Sequence, residues 1–132
     1  MQRLAVLTSG GDAPGMNAAI RAVVRGGLAH NLEVVGIEHG YAGLLRGDMR
    51  TLTRPDVVNI IQRGGTVLGT ARSAEFATDA GLRRAVGVLD SHQVDGLVLI
   101  GGDGTFRGAT ALAAIGGPPA VGIPGTIDND VF

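Results

Sequence analysis

The chain contains no cysteine, which removes disulfide frameworks and thiolate-ligated metal sites from consideration. No apolar run approaches the roughly 18 residues needed to cross a bilayer, and the first residues enter an apolar strand with no leader pattern. The expectation is a soluble cytoplasmic protein with no membrane partner. Charge is sparse: 17% of residues are charged, the net is −1, and there is no basic block. That balance argues against nucleic acid as a partner. Two common phosphate-binding signatures are also missing. No Gly-Lys-Ser/Thr follows a glycine turn, so there is no Walker-type loop, and Arg107 stands where the third glycine of a dinucleotide fingerprint would fall.

What the chain has in excess is glycine, 23 of 132 residues, against a usual share of roughly 7%. The glycines sit at the ends of apolar runs, as functional turns do. The most informative run is Leu97 to Thr105, Leu-Val-Leu-Ile-Gly-Gly-Asp-Gly-Thr. Four apolar residues predict a strand buried on both faces. Gly101, Gly102 and Gly104 then bracket Asp103, and Thr105 is placed to cap a helix over Phe106 to Ile115. A strand, a glycine turn and a helix N-terminus together present backbone N–H groups to an anion. An acid inside such a cradle repels phosphate unless it holds a bridging divalent cation, so the stretch points to a Mg2+–nucleotide site. Read alone, the plainer alternative is a tight turn with a solvated Asp103.

Taken in order, Leu4 to Leu7 predicts a strand that runs into Gly10-Gly11-Asp12, echoing the turn at Gly101. Met16, Ala19, Ile20, Val23, Val24 and Leu28 follow helical spacing, with a stop at Asn31. Val34 to Ile37 is a strand, and Gly40 to Leu45 a loop or single helical turn. Thr53 and Asp56 signal a helix from Pro55 to Gln62, and residues 63–72 are extended or looped. Thr78 caps a helix from Asp79 to His92 whose apolar face is Leu82, Ala85, Val86 and Leu89. Ala120 to Ile123 is the last strand. His30, His39 and His92 share no motif and read as surface residues. Alternating strands and helices predict an α/β domain: a mostly parallel open sheet covered by helices on both faces. Ligands gather at the carboxyl ends of such strands, where Asp12, Asp103 and the pair Asp128 and Asp130 all fall.

Read together, these turns resemble the 6-phosphofructokinases. Thr8-Ser-Gly-Gly-Asp-Ala-Pro-Gly-Met-Asn-Ala-Ala-Ile-Arg21 is close to a signature of that family, as is Pro124-Gly-Thr-Ile-Asp-Asn-Asp130 with Gly101-Gly-Asp-Gly-Thr105 upstream. Gly40-Tyr41 and the stretch from Arg63 to Arg72 add matching context. The Gly-Gly-Asp-Gly-Thr turn by itself is shared with lipid kinases of the diacylglycerol-kinase type and with NAD kinases. The resemblance implies transfer of the ATP γ-phosphoryl to the 1-hydroxyl of fructose 6-phosphate, with Mg2+ as cofactor. It further implies that Gly11, Tyr41, Arg72, Ser73 and Gly102 to Thr105 (with Gly104) bind ATP, Tyr41 against the base and Arg72 on the phosphates. Asp103 would hold Mg2+. Thr126, Ile127 and Asp128 would meet the sugar, with Asp128 as general base and Asp130 in support.

Arg21 and Arg25 lie one helical turn apart and repel mildly; most such pairs are simply solvated. The resemblance implies that they bind an effector phosphate, ADP or phosphoenolpyruvate, with Arg54 nearby, in a homotetramer. Pyrophosphate-using relatives place Asp at the position of Gly104 and Lys at that of Gly125, so ATP is the expected donor. Read without the resemblance, Asp128-Asn129-Asp130 is an Asx turn, Tyr41 a surface aromatic and Arg72 a solvated loop charge. Members of the family are much longer than 132 residues. The chain is therefore expected to be the N-terminal ATP-binding lobe, residues 1–132, without the sugar-phosphate lobe, and inactive by itself. The rival class is a non-catalytic nucleotide-binding module, separated from a kinase by turnover.

Overall fold

A computed structural model describes residues 1–10, 15–62, 64–71 and 73–125. Five strands form one sheet: β1 (Arg3–Thr8), β2 (Glu33–Ile37), β3 (Met49–Leu52), β4 (Gly96–Gly101) and β5 (Ala120–Pro124), in spatial order β3-β2-β1-β4-β5. All neighbours are parallel except β2 and β3. In the registers, Leu7 stands opposite Leu99 and Ile100 opposite Ile123. The carboxyl ends of β1, β2, β4 and β5 therefore open on one edge.

Four helices cover the sheet: α1 (Met16–Ala29), α2 (Gly40–Arg46), α3 (Asp79–Ser91) and α4 (Asp103–Ala114). The two-residue period of the central strands divides their apolar side chains between the faces. Ala5 and Leu7 of β1 join Leu97 and Leu99 of β4 in a core with Tyr41, Leu44, Phe76, Ala85, Leu89 and Leu112. Val6, Val98 and Ile100 point the other way, into a core with Met16, Ile20, Val24, Val57, Ile60 and Leu68. The expected architecture, helices on both faces of a mostly parallel sheet, is thus the observed one.

Local expectations were met less evenly. Strand β3 was not anticipated, because Met-Arg-Thr-Leu has only one fully buried residue, Leu52, at an edge where polar side chains face water. Instead of a loop or a single turn, α2 is a seven-residue helix. The helix expected over Pro55 to Gln62 shrinks to a 3-10 turn, Arg54–Val57. The predicted start is real, since the Thr53 N–H donates to Asp56 Oδ2 at 2.7 Å. The helix cannot continue because Val58 is extended and Asn59 takes a left-handed φ of 66°. Thr105 does not cap α4: the helix begins at Asp103 with Gly102 as its cap residue, and Thr105 is buried in the first turn. Thr78 does cap α3, accepting the Gly81 N–H at 3.0 Å. His92 is half-buried, with Nδ1 2.9 Å from the Val88 carbonyl, so it is not the surface residue its sequence context suggests.

Candidate nucleotide site

At the carboxyl edge, the ends of β1 and β4 approach so closely that only glycine fits at 101. A Cβ there would collide with Thr105 Oγ1 and stand 2.6 Å from the Ser9 carbonyl. The Ser9 N–H donates to the Ile100 carbonyl at 3.0 Å, which extends the β1–β4 pairing into both turns. In α4 the first backbone bond within the turn runs from Phe106 N–H to Gly102 O at 3.1 Å. The N–H groups of Asp103, Gly104 and Thr105 precede it and have no carbonyl within the helix to meet. They belong to the helix end where partial positive charge collects. Asp103 is exposed and makes no ion pair among the described residues.

A cleft of about 900 Å3 runs from this turn between α4 and the segment ahead of α3. Ser9, Gly10, Gly102 and Gly104 form its polar end. Tyr41, Phe76, Leu82, Gly108 and Ala111 line its apolar end, with Arg107 also on the wall. One polar end and one apolar end suit a ligand with a charged tail and a flat, weakly polar head. Tyr41 is buried, its ring stacked on Phe76 with centroids 3.9 Å apart and planes 12° apart. Its hydroxyl donates to the Thr105 carbonyl at 2.6 Å. Burial pushes the phenol well above its usual range, so it stays a neutral donor. It is therefore not the surface aromatic that composition alone allows.

The other wall includes Thr70, Ala71 and Ser73, and the chain ahead of it is pinned at Ile60, Thr66, Val67 and Gly69 by two buried polar side chains. Asn17, 2% exposed, donates from Nδ2 to Ile60 O at 3.0 Å and accepts the Val67 N–H at 2.8 Å. Thr8 donates to Gly69 O at 3.0 Å and shares a hydroxyl hydrogen bond with Thr66, also at 3.0 Å. Thr70, Ala71 and Ser73 are thereby brought to the cleft. Ser73 Oγ accepts the Phe76 N–H at 3.1 Å and so starts the short 3-10 turn Glu75–Ala77.

Of the residues expected at the site, Tyr41, Ser73, Gly102, Gly104 and Thr105 line this one cleft; Asp103 is on the same turn but lines a separate depression with Phe106, Arg107 and Thr110. Gly11, Arg72, Thr126, Ile127, Asp128 and Asp130 lie outside the described residues, as does Asp12. Arg21 and Arg25 are on α1, and Arg54 begins the 3-10 turn that packs its Val57 into the α1 core. None of the three forms an ion pair among the described residues. Sequence reasoning missed Phe76, Gly108 and the pinning roles of Thr8 and Asn17. The last two lie inside the quoted signature, where the expectation assigned them no contact.

The pattern of the family described as Phosphofructokinase matches residues 3–132. The chain is 60% identical over 132 residues to ATP-dependent 6-phosphofructokinase 1 of Thermus thermophilus, covering all of this chain and 41% of that protein. It is 57% identical over 131 residues to the ATP-dependent 6-phosphofructokinase of Halothermothrix orenii, covering 99% of this chain and 40% of that protein. The chain thus spans about two fifths of the length of these relatives. Among solved structures, phosphofructokinase from Saccharomyces cerevisiae superposes with a TM-score of 0.89 at 40% identity, over 98% of this chain and 21% of that one. A pyrophosphate-dependent phosphofructokinase from Marinobacter aquaeolei superposes at 0.84 with 20% identity, over 98% and 34%, a likeness of fold alone. The whole length from β1 through the glycine turns is matched, and the chain belongs to the phosphofructokinase family.

Proposed function

We propose that the chain is the ATP-binding part of an ATP-dependent 6-phosphofructokinase, and that ATP lies in the cleft with its phosphates on the α4 turn. The observation that carries this reading is the meeting of the first-turn amides of α4, which have no partner among the described residues, with an apolar, aromatic-floored extension in a cleft of about 900 Å3. The amides of residues 103–105 receive phosphate oxygens, and Gly102 and Gly104 let the chain come close. Gly11 and the Arg72 fork complete the phosphate contacts, with Ser73 on the facing wall.

Asp103 suits Mg2+. It is exposed and forms no ion pair among the described residues, and Mg2+ in such sites takes one or two carboxylates, with phosphates and waters supplying the rest. Bound there, the ion neutralises charge on the transferring phosphoryl group. Thr126 and Ile127 hold fructose 6-phosphate, Asp128 takes the proton of its 1-hydroxyl, and Asp130 supports the arrangement. No helix among the described residues is long and apolar enough to cross a membrane, in keeping with a cytoplasmic enzyme of glycolysis.

The test grafts residues 1–132 in place of the matching part of the Thermus thermophilus relative. The graft should convert fructose 6-phosphate and Mg-ATP to fructose 1,6-bisphosphate and ADP in a coupled assay. The 132-residue chain alone should bind Mg-ATP weakly and show no turnover, because phosphoryl transfer depends on positioning both partners. A graft that folds and binds ATP yet never turns over would favour a non-catalytic nucleotide-binding module.

Arg21, Arg25 and Arg54 form a second anion site for ADP or phosphoenolpyruvate, in a homotetramer. Two like charges one turn apart cost a few tenths of a kcal/mol, on the order of the helix-pair effect, and a bound phosphate offsets that cost. Replacing Arg21 and Arg25 with Ala in the graft should flatten its response to both effectors and leave the effector-free rate unchanged. An intact response would reduce the arginines to a solvated face.

A further inference from the structure

We infer that Tyr41 serves the nucleotide site through its hydroxyl, as a positioning residue that fixes the first turn of α4, and not through its ring face; the inference rests on the cleft being the ATP site. The ring has little surface to offer a ligand. One face is stacked on Phe76 at 3.9 Å, and only 7% of the residue is exposed. The hydroxyl end is enclosed as well. A Cβ at position 108 would stand 2.7 Å from Tyr41 Oη and 2.9 Å from Cζ, so α4 rests directly on the phenol there.

The hydroxyl is aimed at one peptide unit. Its acceptor, 2.6 Å away, is the carbonyl of Thr105. That carbonyl belongs to the same planar unit as the Phe106 N–H, which donates to Gly102 O at 3.1 Å. The unit is therefore held at both ends, one by Tyr41 and one by the turn it closes. Its orientation sets the directions of the three unpaired N–H groups ahead of it, at Asp103, Gly104 and Thr105. A helix N-terminus without such a clamp frays, because its first turn has the fewest internal bonds. Tyr41 comes from α2, far away in sequence, so the clamp ties this turn to a distant element of the fold.

Tyr41→Phe keeps the ring, the stack and the volume and removes only the donor. In the grafted enzyme the variant should weaken Mg-ATP binding about tenfold, the scale of one lost hydrogen bond, while adenosine, which carries no phosphate, binds within twofold of the parent. Amide exchange at Phe106, measured without nucleotide, should accelerate about fivefold or more, with α1 amides unchanged. If Tyr41→Phe binds Mg-ATP like the parent, the clamp is overturned and the ring alone matters; if it loses ATP and adenosine in equal proportion, the clamp is overturned because the hydroxyl then serves the whole cleft and not the phosphate turn. Unchanged exchange at Phe106 overturns it too. Should the parent graft itself fail to bind Mg-ATP, the nucleotide reading falls, and the exchange measurement still decides whether Tyr41 holds the turn.

Discussion

Replacing Asp128 with Asn in the grafted enzyme should lower kcat by roughly 10²–10⁴-fold, the range of a lost general base, while the KM for ATP moves by less than about threefold. The reasoning is chemical. The 1-hydroxyl of a sugar is a poor nucleophile with its proton in place, and the Asp128 carboxylate follows Gly125-Thr126 shortly after β5 in the sequence. Asn has similar size and hydrogen-bonding reach but cannot take a proton, so it separates proton transfer from sugar binding. A drop in kcat with the KM values for both substrates preserved assigns the proton to Asp128. Near-normal turnover would show that another group removes it.

Gly104→Asp should abolish efficient use of ATP without disturbing the fold. A Cβ at 104 meets no atom within 4 Å, so the new side chain enters open space beside the unpaired amides. Its charge then competes for those N–H groups and faces the phosphates directly. Two unit charges about 4 Å apart interact by about 4 kcal/mol at an effective dielectric near 20. After screening and rearrangement, kcat/KM for ATP should fall by roughly 10²–10³-fold. The same change should not create a pyrophosphate-using enzyme. Two pyrophosphate-dependent phosphofructokinases share this fold, and the resemblance implies that such enzymes also need Lys at the position of Gly125. That position is closed here: a Cβ on Gly125 would stand 2.9 Å from Ile100 Cγ2 and 3.4 Å from Met16 Cγ. Measured kcat/KM for each donor, with the melting temperature as a check on folding, tests both halves. An ATP rate within tenfold of the parent would show that the carboxylate turns away from the phosphates.

The parts of the fold legible in the sequence are those that a single face or a single run dictates. Leu97 to Ile100 is buried on both sides, and a run of four apolar residues has no other comfortable place. The α1 spacing places Met16, Ile20 and Val24 on one core, as a helical period must. What escaped was decided by distant partners. Met49 to Leu52 is a strand because Glu33 to Ile37 offers it a free edge, and nothing in Met-Arg-Thr-Leu announces that. The helix signal at Thr53 was locally correct, but Asn17 takes the Ile60 carbonyl and the chain bends to meet it. Tyr41 could be read as a site residue only through the resemblance. That its hydroxyl would reach Thr105 depends on the missing side chain of Gly108, which no local pattern connects with position 41.

Among the described residues one strand runs backwards, and it lies on the chain between the two proposed sites. Because β3 is antiparallel, it carries the chain away from the cleft edge, from Met49 opposite Ile37 to Leu52 opposite Val34, and delivers Arg54 beyond it. By Ile60 the chain is back beside the first turn of α1, clasped by Asn17, and by Gly69 it is fastened to Thr8. Mechanically it is a belt, with the arginine turn at one end and the cleft wall at Thr70 and Ala71 at the other. Between Val57 and the Asn17 buckle the belt leaves the core, with Val58 exposed and Asn59 in its left-handed bend.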